Sequence, residues 1–225
     1  MRVLAIDTAL EACAAAVLDT AAGAILASES LPMARGHAEA LMPLLARVMD
    51  AAGLDFAALD RIAVTVGPGS FTGLRVGIAA ARGIALAAGK PAVGLSTLSG
   101  FAAPHVAGGT EESIVVAIDA RHDQVYFQVF GPGGRTLLTP RLDKVQSAAA
   151  AAAAPVLVVG SGAALVAAQW PLGTAPPRVV ESRAPEIGWI ARLGAAADEN
   201  QAMPKPLYLR RPDARPQDAA RLPRR

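Results

Sequence analysis

A glycine-rich stretch in the first third of the chain has residue types that could bind phosphate. Residues 66–77 read VGPGSFTGLRVG. A P-loop requires a lysine and a hydroxyl residue directly after its last glycine, whereas Gly73 is followed by leucine and arginine. A dinucleotide-binding fingerprint is spaced G-x-G-x-x-G, and Gly67, Gly69 and Gly73 have one residue too many between the second and third glycine. The loop still offers backbone N–H groups at the start of a predicted helix, which is a general anion site.

A steric interpretation of the same stretch stands beside the phosphate interpretation, and we favour it. Gly67-Pro68-Gly69 would turn the chain sharply, and the glycines and alanines of residues 73–83 would keep the following helix thin. A thin helix allows a second helix backbone to approach closely. Ser70 and Thr72 are suited to cap the start of this helix.

Two aspartates each end a short apolar strand, Asp7 after VLAI and Asp119 after IVVAI. Asp7 could hold Mg²⁺ through water, or it could simply cap the turn that follows. Neither following turn, TALE nor ARHD, contains glycine, and the extra acid in each would repel a triphosphate. We therefore predict a weak, vestigial nucleotide site and no efficient ATP hydrolysis. The predicted site comprises Asp7, Thr8, Gly67, Gly69 and Asp119.

The elements that must position these residues recur in an order that repeats once. The first half predicts strands at 3–7, 12–19, 24–31, 62–66 and 91–95, with helices at 35–52 and 74–88. The second half predicts strands at 114–119, 124–130, 136–138, 156–160 and 178–180, with helices at 144–153, 161–170 and 185–199. An offset of 112 residues aligns the first three strands of both halves without a gap. The order implies an α/β protein with two mixed sheets, each covered by helices.

Composition narrows the class of protein further. The chain has 225 residues, a net charge of +2 and one cysteine, Cys13, which excludes a disulfide framework. The longest apolar run, around residues 148–159, is alanine-rich and interrupted by proline, so we expect no membrane span. The N-terminal apolar run is too short for a signal peptide, so we expect a cytoplasmic protein. Residues 210–225 hold six arginines against two aspartates and are predicted to be either a basic, mobile tail that meets RNA phosphates or a merely solvated terminus.

Several segments resemble the TsaB (YeaZ) family. They are LAIDTALEACAAAVLD, RGHAEALMPLL, VGPGSFTGLRVGIAAARGIALAAGKPAVGLSTLSGFA and the late PLYLR. The resemblance is dense over residues 1–103 and rests in the second half on element order and PLYLR. It implies a duplicated fold of the actin, Hsp70 and sugar-kinase (ASKHA) class. It also implies a non-catalytic subunit that dimerises with a TsaD-like catalytic homologue, which makes N6-threonylcarbamoyladenosine in tRNA next to the anticodon.

The resemblance also bears on metals and cofactors. TsaD-like proteins carry a metal-binding H-x-x-x-H pair after the strand that corresponds to residues 91–95. Thr97 and Phe101 stand at those two positions here, and the histidines of this chain lie on separate predicted elements. We therefore predict no metal site and no cofactor bound tightly by the isolated chain. ATP or ADP with Mg²⁺ is expected only at the interface of a complex.

The same resemblance implies a partner-binding face in which two helices of each protein form a four-helix bundle. The predicted interface residues are His37, Ala38, Met42, Leu45, Met49, Arg75, Gly77, Ala80 and Arg82. The alternative is that both helices are buried within the monomer. A homodimer through the same face and a TsaE-like ATPase are further expected partners, and tRNA would be contacted indirectly or through the tail.

The predicted division has an N-terminal subdomain at 1–103, a C-terminal subdomain at 104–209 whose last helix could pack back on the first, and the tail. An active nucleotide phosphotransferase or ATPase of the same superfamily is the alternative function. A metalloprotein of the glycoprotease type is a third possible function. Ser70 lies in G-S-F-T-G rather than in the G-x-S-x-G nucleophile turn, so protease activity is not expected.

Overall fold

The computed structural model describes residues 1–210 and contains two five-stranded sheets. The strands of the first sheet are β1 Arg2–Asp7, β2 Ala12–Asp19, β3 Ala24–Pro32, β4 Arg61–Gly67 and β5 Ala92–Ser96. The strands of the second sheet are β6 Ser113–Asp119, β7 Gln124–Phe130, β8 Thr136–Lys144, β9 Val156–Val159 and β10 Arg178–Val180. The helices are α1 His37–Ala52, α2 Phe71–Ala88, α3 Thr97–Ala107, α4 Val145–Ala149, α5 Ala163–Ala168 and α6 Ile187–Ala196.

The two sheets share one topology. The strand orders are β3-β2-β1-β4-β5 and, in the same sense, β8-β7-β6-β9-β10. In each sheet the first three strands form an antiparallel meander, and the last two add to it in parallel. Parallel neighbours need a crossover connection, which a helix usually supplies. The predicted duplicated α/β fold is confirmed.

Helices cover both faces of the first sheet, which explains why its central strands are apolar throughout. Leu4 and Ile6 of β1 pack in one cluster with α1 and α2. Val3 and Ala5, which alternate with them, pack on the other face against α6. The opposite faces of one strand therefore contact helices from both halves of the chain.

The last helix of each half packs on the sheet of the other half. Leu98 and Phe101 of α3 join Ile114 of β6 in a cluster of the second sheet, whereas α6 lies on the first sheet. Arg61 of β4 fixes the C-terminal end of α6, because its Nη1 donates to the carbonyl of Gly194 at 2.8 Å. The predicted boundary at 103/104 thus falls inside α3, and the two subdomains are interleaved.

Several helix bounds differ from prediction. Ser70 caps α2, its Oγ accepting from the Gly73 N–H at 3.3 Å, so α2 begins three residues earlier than expected. In the second half, α4, α5 and α6 are all shorter than predicted. The predicted element order ends each half in a helix but assigned no bounds to α3, whose apolar residues lie on all sides rather than on one face.

By length and composition, α2 could cross a membrane, with 18 residues and a mean hydropathy of 1.3. The sequence-based expectation considered only residues 148–159 and overlooked it. Its buried face, which includes Leu74, Ile78 and Ala81, packs into the first core cluster. A core helix passes the same test as a membrane span, so the apolar character of α2 is weak evidence for a membrane.

Candidate functional site

The glycines of the loop and of α2 lie against the turn that follows β1. A Cβ at Gly69 would overlap the carbonyl oxygen of Ala9, and one at Gly73 would overlap the carbonyl oxygen of Thr8. A Cβ at Gly77 would meet the hydroxyl of Thr8. The steric interpretation therefore holds, but the close neighbour is the β1–β2 turn of this chain. The prediction that Gly77 contacts a partner helix is wrong.

Hydrogen bonds also hold the glycine loop against the β1–β2 turn. The N–H of Ser70 donates to the carbonyl of Ala9 at 2.7 Å, and the hydroxyl of Thr8 donates to the carbonyl of Gly73 at 2.7 Å. Asp7 Oδ1 accepts from the N–H of Ala9 at 2.9 Å and from the hydroxyl of Thr65. Asp7 is fully buried, its Oδ2 has no partner among residues 1–210, and burial raises its pKa. Asp7 caps the turn from inside the core.

An open cleft of about 640 Å³ lies between the two halves of the molecule. Asp119, Arg121, Ser161 and Glu11 line it, and an ion pair of 3.3 Å joins Glu11 to Arg183. The N–H of Asp119 donates to Ser161 Oγ at 3.2 Å, and Asp119 Oδ1 accepts from the Arg121 N–H at 2.7 Å.

The structure separates Asp119 from the other four residues of the predicted nucleotide site. Asp119 is exposed and lines the cleft, whereas Asp7 and Thr8 are buried beneath the glycine loop. Gly67 and Gly69 contact other parts of the chain and do not line the cleft. Ser161 was assigned no role from sequence patterns, although G-S-G at 160–162 stands at the end of β9 as G-P-G at 67–69 stands at the end of β4.

Residues 202–210, which we call the C-terminal strap, run back over the first half. The carbonyl of Ala202 accepts from the N–H of Gly94 in β5, and the N–H of Leu207 donates to the carbonyl of Val66 in β4, each at 2.7 Å. A Cβ at Gly67 would lie 2.9 Å from the carbonyl oxygen of Leu207. Gly67 therefore leaves room for the strap, a role that its motif did not reveal.

Arg75 and Arg82, predicted at the partner interface, hold the strap instead. Arg82 Nη2 donates to the carbonyl of Pro204 at 2.7 Å. Arg75 Nε donates to the hydroxyl of Tyr208 at 3.2 Å, and its guanidinium lies 3.8 Å from the centre of the Phe71 ring. Both arginines remain exposed to solvent.

The strap ends on the second half of the molecule. Arg210, predicted as the first residue of a mobile tail, donates to the carbonyl of Ala120 at 3.0 Å and to Gln124 Oε1 at 2.6 Å. The anchored chain therefore extends one residue further than predicted. Residues 211–225, which make up the rest of the predicted tail, lie outside the described residues.

Three residues of α1 that were predicted at the partner interface belong to the interior. Leu45 and Met49 lie in the first core cluster. His37 is buried, with its Nε2 3.0 Å from the carbonyl oxygen of Leu10. Their assignment to a partner surface is wrong, because the helical period that gave the core stripe also turns these side chains inward.

An apolar surface remains exposed along α1 and α2, and we call it the α1–α2 face. Leu86 is 87% exposed and Met42 is 53% exposed. A Cβ at Gly83 would meet no atom of the described residues. A glycine inside a helix costs about 0.5–1 kcal/mol relative to alanine, and nothing in residues 1–210 requires one here. The α1–α2 face comprises Ala38, Met42, Ala79, Ala80, Gly83 and Leu86.

The positions that correspond to the histidine pair are part of the core. Phe101 is 3% exposed and packs with the second sheet, and Thr97 is fully buried with its hydroxyl unpartnered among the described residues. Residues 1–210 contain no group of three or more His, Cys, Asp or Glu side chains placed to hold a metal. Cys13 is buried, which raises its pKa to about 11 and keeps the thiol protonated at neutral pH.

Comparisons with known proteins agree with this architecture. A family model described as TsaD, tRNA N6-adenosine threonylcarbamoyltransferase, matches residues 26–168. An uncharacterized protein of Mycobacterium tuberculosis is 39% identical over 215 residues, which cover 95% of this chain and 94% of the relative. The tRNA threonylcarbamoyladenosine biosynthesis protein TsaB of Escherichia coli is 38% identical over 127 residues, which cover 56% of this chain and 54% of TsaB. YeaZ from Pseudomonas aeruginosa superposes with a TM-score of 0.78 at 28% identity, covering 92% of this chain and 99% of YeaZ.

The duplicated sheets and the cleft between them define a protein of the actin, Hsp70 and sugar-kinase class. A solved glucomannokinase shares this fold with a TM-score of 0.51 at only 11% identity, so that likeness concerns the fold alone. Within the class, the similarity to TsaB and YeaZ identifies the family. The chain belongs to the TsaB (YeaZ) family.

Proposed function

We propose that this chain is a non-catalytic subunit that pairs with a TsaD-like homologue and supports the synthesis of N6-threonylcarbamoyladenosine in tRNA. Relatives named TsaB are tRNA threonylcarbamoyladenosine biosynthesis proteins. The observation that carries the proposal is the β1–β2 turn, which is packed beneath the glycine loop. In the actin, Hsp70 and sugar-kinase class that the sequence resembles, the hairpin after the first strand of each half grips the nucleotide phosphates, whereas here this turn packs against Gly69, Gly73 and Gly77.

The backbone donors of this region support the lack of catalysis. The N–H of Ala9 donates to Asp7, and the N–H of Ser70 donates to Ala9, so neither is directed at a ligand. Three carboxylates, those of Glu11, Asp119 and Glu181, line the cleft and outnumber its two arginines, Arg121 and Arg183. Like charges at short range oppose binding of the anion.

The α1–α2 face supports docking of a homologous protein. Ala79 and Gly83 would allow a partner helix to approach closely. The side chains of Met42 and Leu86 would then insert between side chains of the partner. A tRNA N6-adenosine threonylcarbamoyltransferase of Erythrobacter litoralis is 51% identical to this chain over 69 residues, so a TsaD-like protein contains a related segment. Two related helix pairs can pack as a four-helix bundle.

Three further expectations extend the proposal. A second copy of the chain presents the same face, so we propose a homodimer when the TsaD-like partner is absent. We also propose that a TsaE-like ATPase joins the complex and that ATP or ADP with Mg²⁺ binds only there. The site of action would be the cytoplasm.

Co-elution on gel filtration with the TsaD-like protein of the same genome tests the proposal. We expect a joint peak for the natural chain and a loss of at least tenfold in affinity for Gly83→Leu, because the leucine would hold the helices apart. Ala164→Leu, an exposed small-to-large change on α5, is the matched control and should leave co-elution unchanged. Independent elution of the natural chain would contradict the proposal.

The alternative of an active phosphotransferase or ATPase has its own test. Calorimetric titration of the isolated chain with ATP and Mg²⁺ should give no micromolar binding. Micromolar affinity, or turnover of ATP by the chain alone, would favour the enzyme and overturn the non-catalytic assignment.

A further inference from the structure

The charges on α2 and the C-terminal strap have one sign. These two segments contain Arg75, Arg82, Lys205 and Arg210 and no aspartate or glutamate. The whole chain carries 21 basic and 19 acidic residues, so this is a local excess in a nearly balanced protein. The excess continues beyond the described residues, because residues 211–225 contain five arginines and two aspartates.

The cations of this region are not neutralised by carboxylates of the described chain. Five arginines elsewhere form ion pairs, for example Arg47 with Glu29 and Arg178 with Glu112. Within residues 1–210, no such pair involves any of the four cations on α2 and the strap. The three arginines among them donate to neutral oxygens, which hold each guanidinium in place without cancelling its charge.

Two aromatic rings lie beside these cations at the start of α2. Phe71 is 39% exposed and Tyr208 is 42% exposed, and their ring centres are 5.2 Å apart. The guanidinium of Arg75 stacks on Phe71 and bonds to the hydroxyl of Tyr208. The cluster joins residues 133 positions apart in sequence, so tertiary structure presents two rings and a fixed cation at one place.

We propose that this surface, the basic ridge, binds single-stranded or loop RNA. The basic ridge comprises Phe71, Arg75, Arg82, Lys205, Tyr208 and Arg210. Fixed arginines bind phosphates, and exposed rings stack on unpaired bases. An acidic peptide would also suit the charges, but it would not use two aromatic faces beside a stacked guanidinium. The inference deepens the proposed function, since it rests on tRNA as the substrate of the complex.

The basic ridge and the α1–α2 face adjoin on α2. With 100° of rotation per residue, Phe71, Arg75 and Arg82 fall on the side covered by the strap. Ala80 falls on the opposite side and packs into the cluster shared with α1. Leu86 and Ala79 of the α1–α2 face lie only about 20° and 40° around the helix from Arg75, so a protein docked on that face would lie beside the basic ridge.

RNA binding by the full chain tests this inference, with a fluorescein-labelled tRNA transcript as the probe and anisotropy as the readout. The double variant Arg75→Gln/Arg82→Gln removes two charges and keeps hydrogen-bond donors to the strap. We expect its affinity to fall about tenfold at 0.1 M salt, with the slope of log affinity against log salt reduced by about two. Tyr208→Ala should lower affinity about fivefold, whereas Tyr208→Phe should change it little.

Arg192→Gln is the matched control, because Arg192 also lies over an aromatic ring, 5.3 Å from the centre of Trp189, but on α6 across the sheet. Its affinity should stay within twofold of the natural chain. The inference is overturned if the double variant binds RNA as the natural chain does, or if Arg192→Gln weakens binding equally. If the double variant does not fold, the comparison of Tyr208→Ala with Tyr208→Phe tests the inference by itself.

Co-elution with the TsaD-like protein is measured on the same variants. Weaker RNA binding with unchanged co-elution supports the basic ridge. Lost co-elution with unchanged RNA binding would assign this surface to a protein partner instead. Because Gly83→Leu tests the α1–α2 face separately, failure of the RNA inference leaves the proposed function standing.

Discussion

The turns after β1 and β6 occupy equivalent places in two copies of one topology, yet they are held differently. The first turn is buried, with Asp7 fully enclosed and Thr8 pinned beneath the glycine loop. The second is exposed: Asp119 faces the cleft. Residues 121–123 of this second turn all have positive φ although none is glycine.

The difference arises downstream of each turn rather than within it. Gly67, the last residue of β4, and Gly160, directly after β9, have the same φ of 113°, so both halves begin the loop alike. In the first half, an 18-residue helix follows and brings Gly73 and Gly77 against the turn. In the second half, α5 has six residues and contributes no such glycines. Duplication kept the sheets alike, while the glycines in the first two turns of α2 allow the first turn to be closed.

The largest expected effect comes from opening the first turn. Gly73→Ala would force a methyl group into the carbonyl of Thr8, a backbone atom that cannot move without shifting β1. We expect a loss of about 3 kcal/mol in the free energy of unfolding, measured by urea denaturation.

Gly83→Ala is the matched control, since both glycines lie in α2 and the second has open space around it. It should raise stability by about 0.5–1 kcal/mol through helix propensity. Equal effects of the two substitutions would show that the close packing of Gly73 against Thr8 does not stabilise the protein.

A smaller effect concerns the pH dependence of Asp7. Burial raises the pKa of Asp7 above 3.8, so its protonated form stabilises the fold below pH 3.8 and that contribution is lost as pH rises through the folded pKa. Asp7→Asn removes this titration and should cost about 1–2 kcal/mol at low pH, because the cap is imperfect. The deficit relative to the natural chain should shrink as pH rises from 3.8.

Glu29→Gln should show the opposite dependence of stability on pH. A hydrogen bond from Arg47 lowers the pKa of Glu29 below 4.5, so its contribution is present above pH 4.5 and lost as pH falls. Chemical denaturation between pH 3 and 7 measures how the stability deficit of each variant changes with pH. Deficits that change in the same direction for both variants would contradict the burial of a titrating Asp7.

The smallest effect is expected at the second turn. His122 has a φ of 53°, which costs a non-glycine residue about 1–2 kcal/mol. After the entropy loss of glycine is subtracted, His122→Gly should stabilise the protein by about 0.5 kcal/mol, seen as a higher Tm. Arg141→Gly, in the ordinary extended backbone of β8, should lower the Tm instead. A His122→Gly variant no more stable than the natural chain would show that the second turn is unstrained.

Much of the fold could be predicted from local patterns. Alternating and continuous apolar runs located all ten strands, because burial on a sheet leaves a short-range signal, although β8 extends six residues beyond the predicted 136–138. The predicted C-terminal ends of α1 and α2 are confirmed: Gly53 and Gly89 follow these helices in the left-handed conformation. Weakly amphipathic elements such as α3 gave no such signal, since a helix buried on all sides has no period to detect.

The candidate site was less predictable, because its contacts join distant segments. Arg75 and Arg82 are seven residues apart on one side of a helix, which indicated a shared surface but not that residues 204–208 lie on it. Leu45 and Met49 were assigned to a partner face although they fill the core of the chain. Periodicity indicates that a residue faces an apolar neighbour, and it does not say whether that neighbour belongs to the same chain.

The sequence by itself determined the strand and helix order, the duplication and the family, because each depends on residue types at short spacing. Tertiary structure alone decided what the glycines of 67–77 are for. A missing side chain is compatible with a phosphate, a partner helix or a neighbouring turn, and the three differ only in which atoms occupy the space. Folding placed Thr8, Ala9 and Leu207 there, and the choice was made by residues that lie far from the loop in sequence.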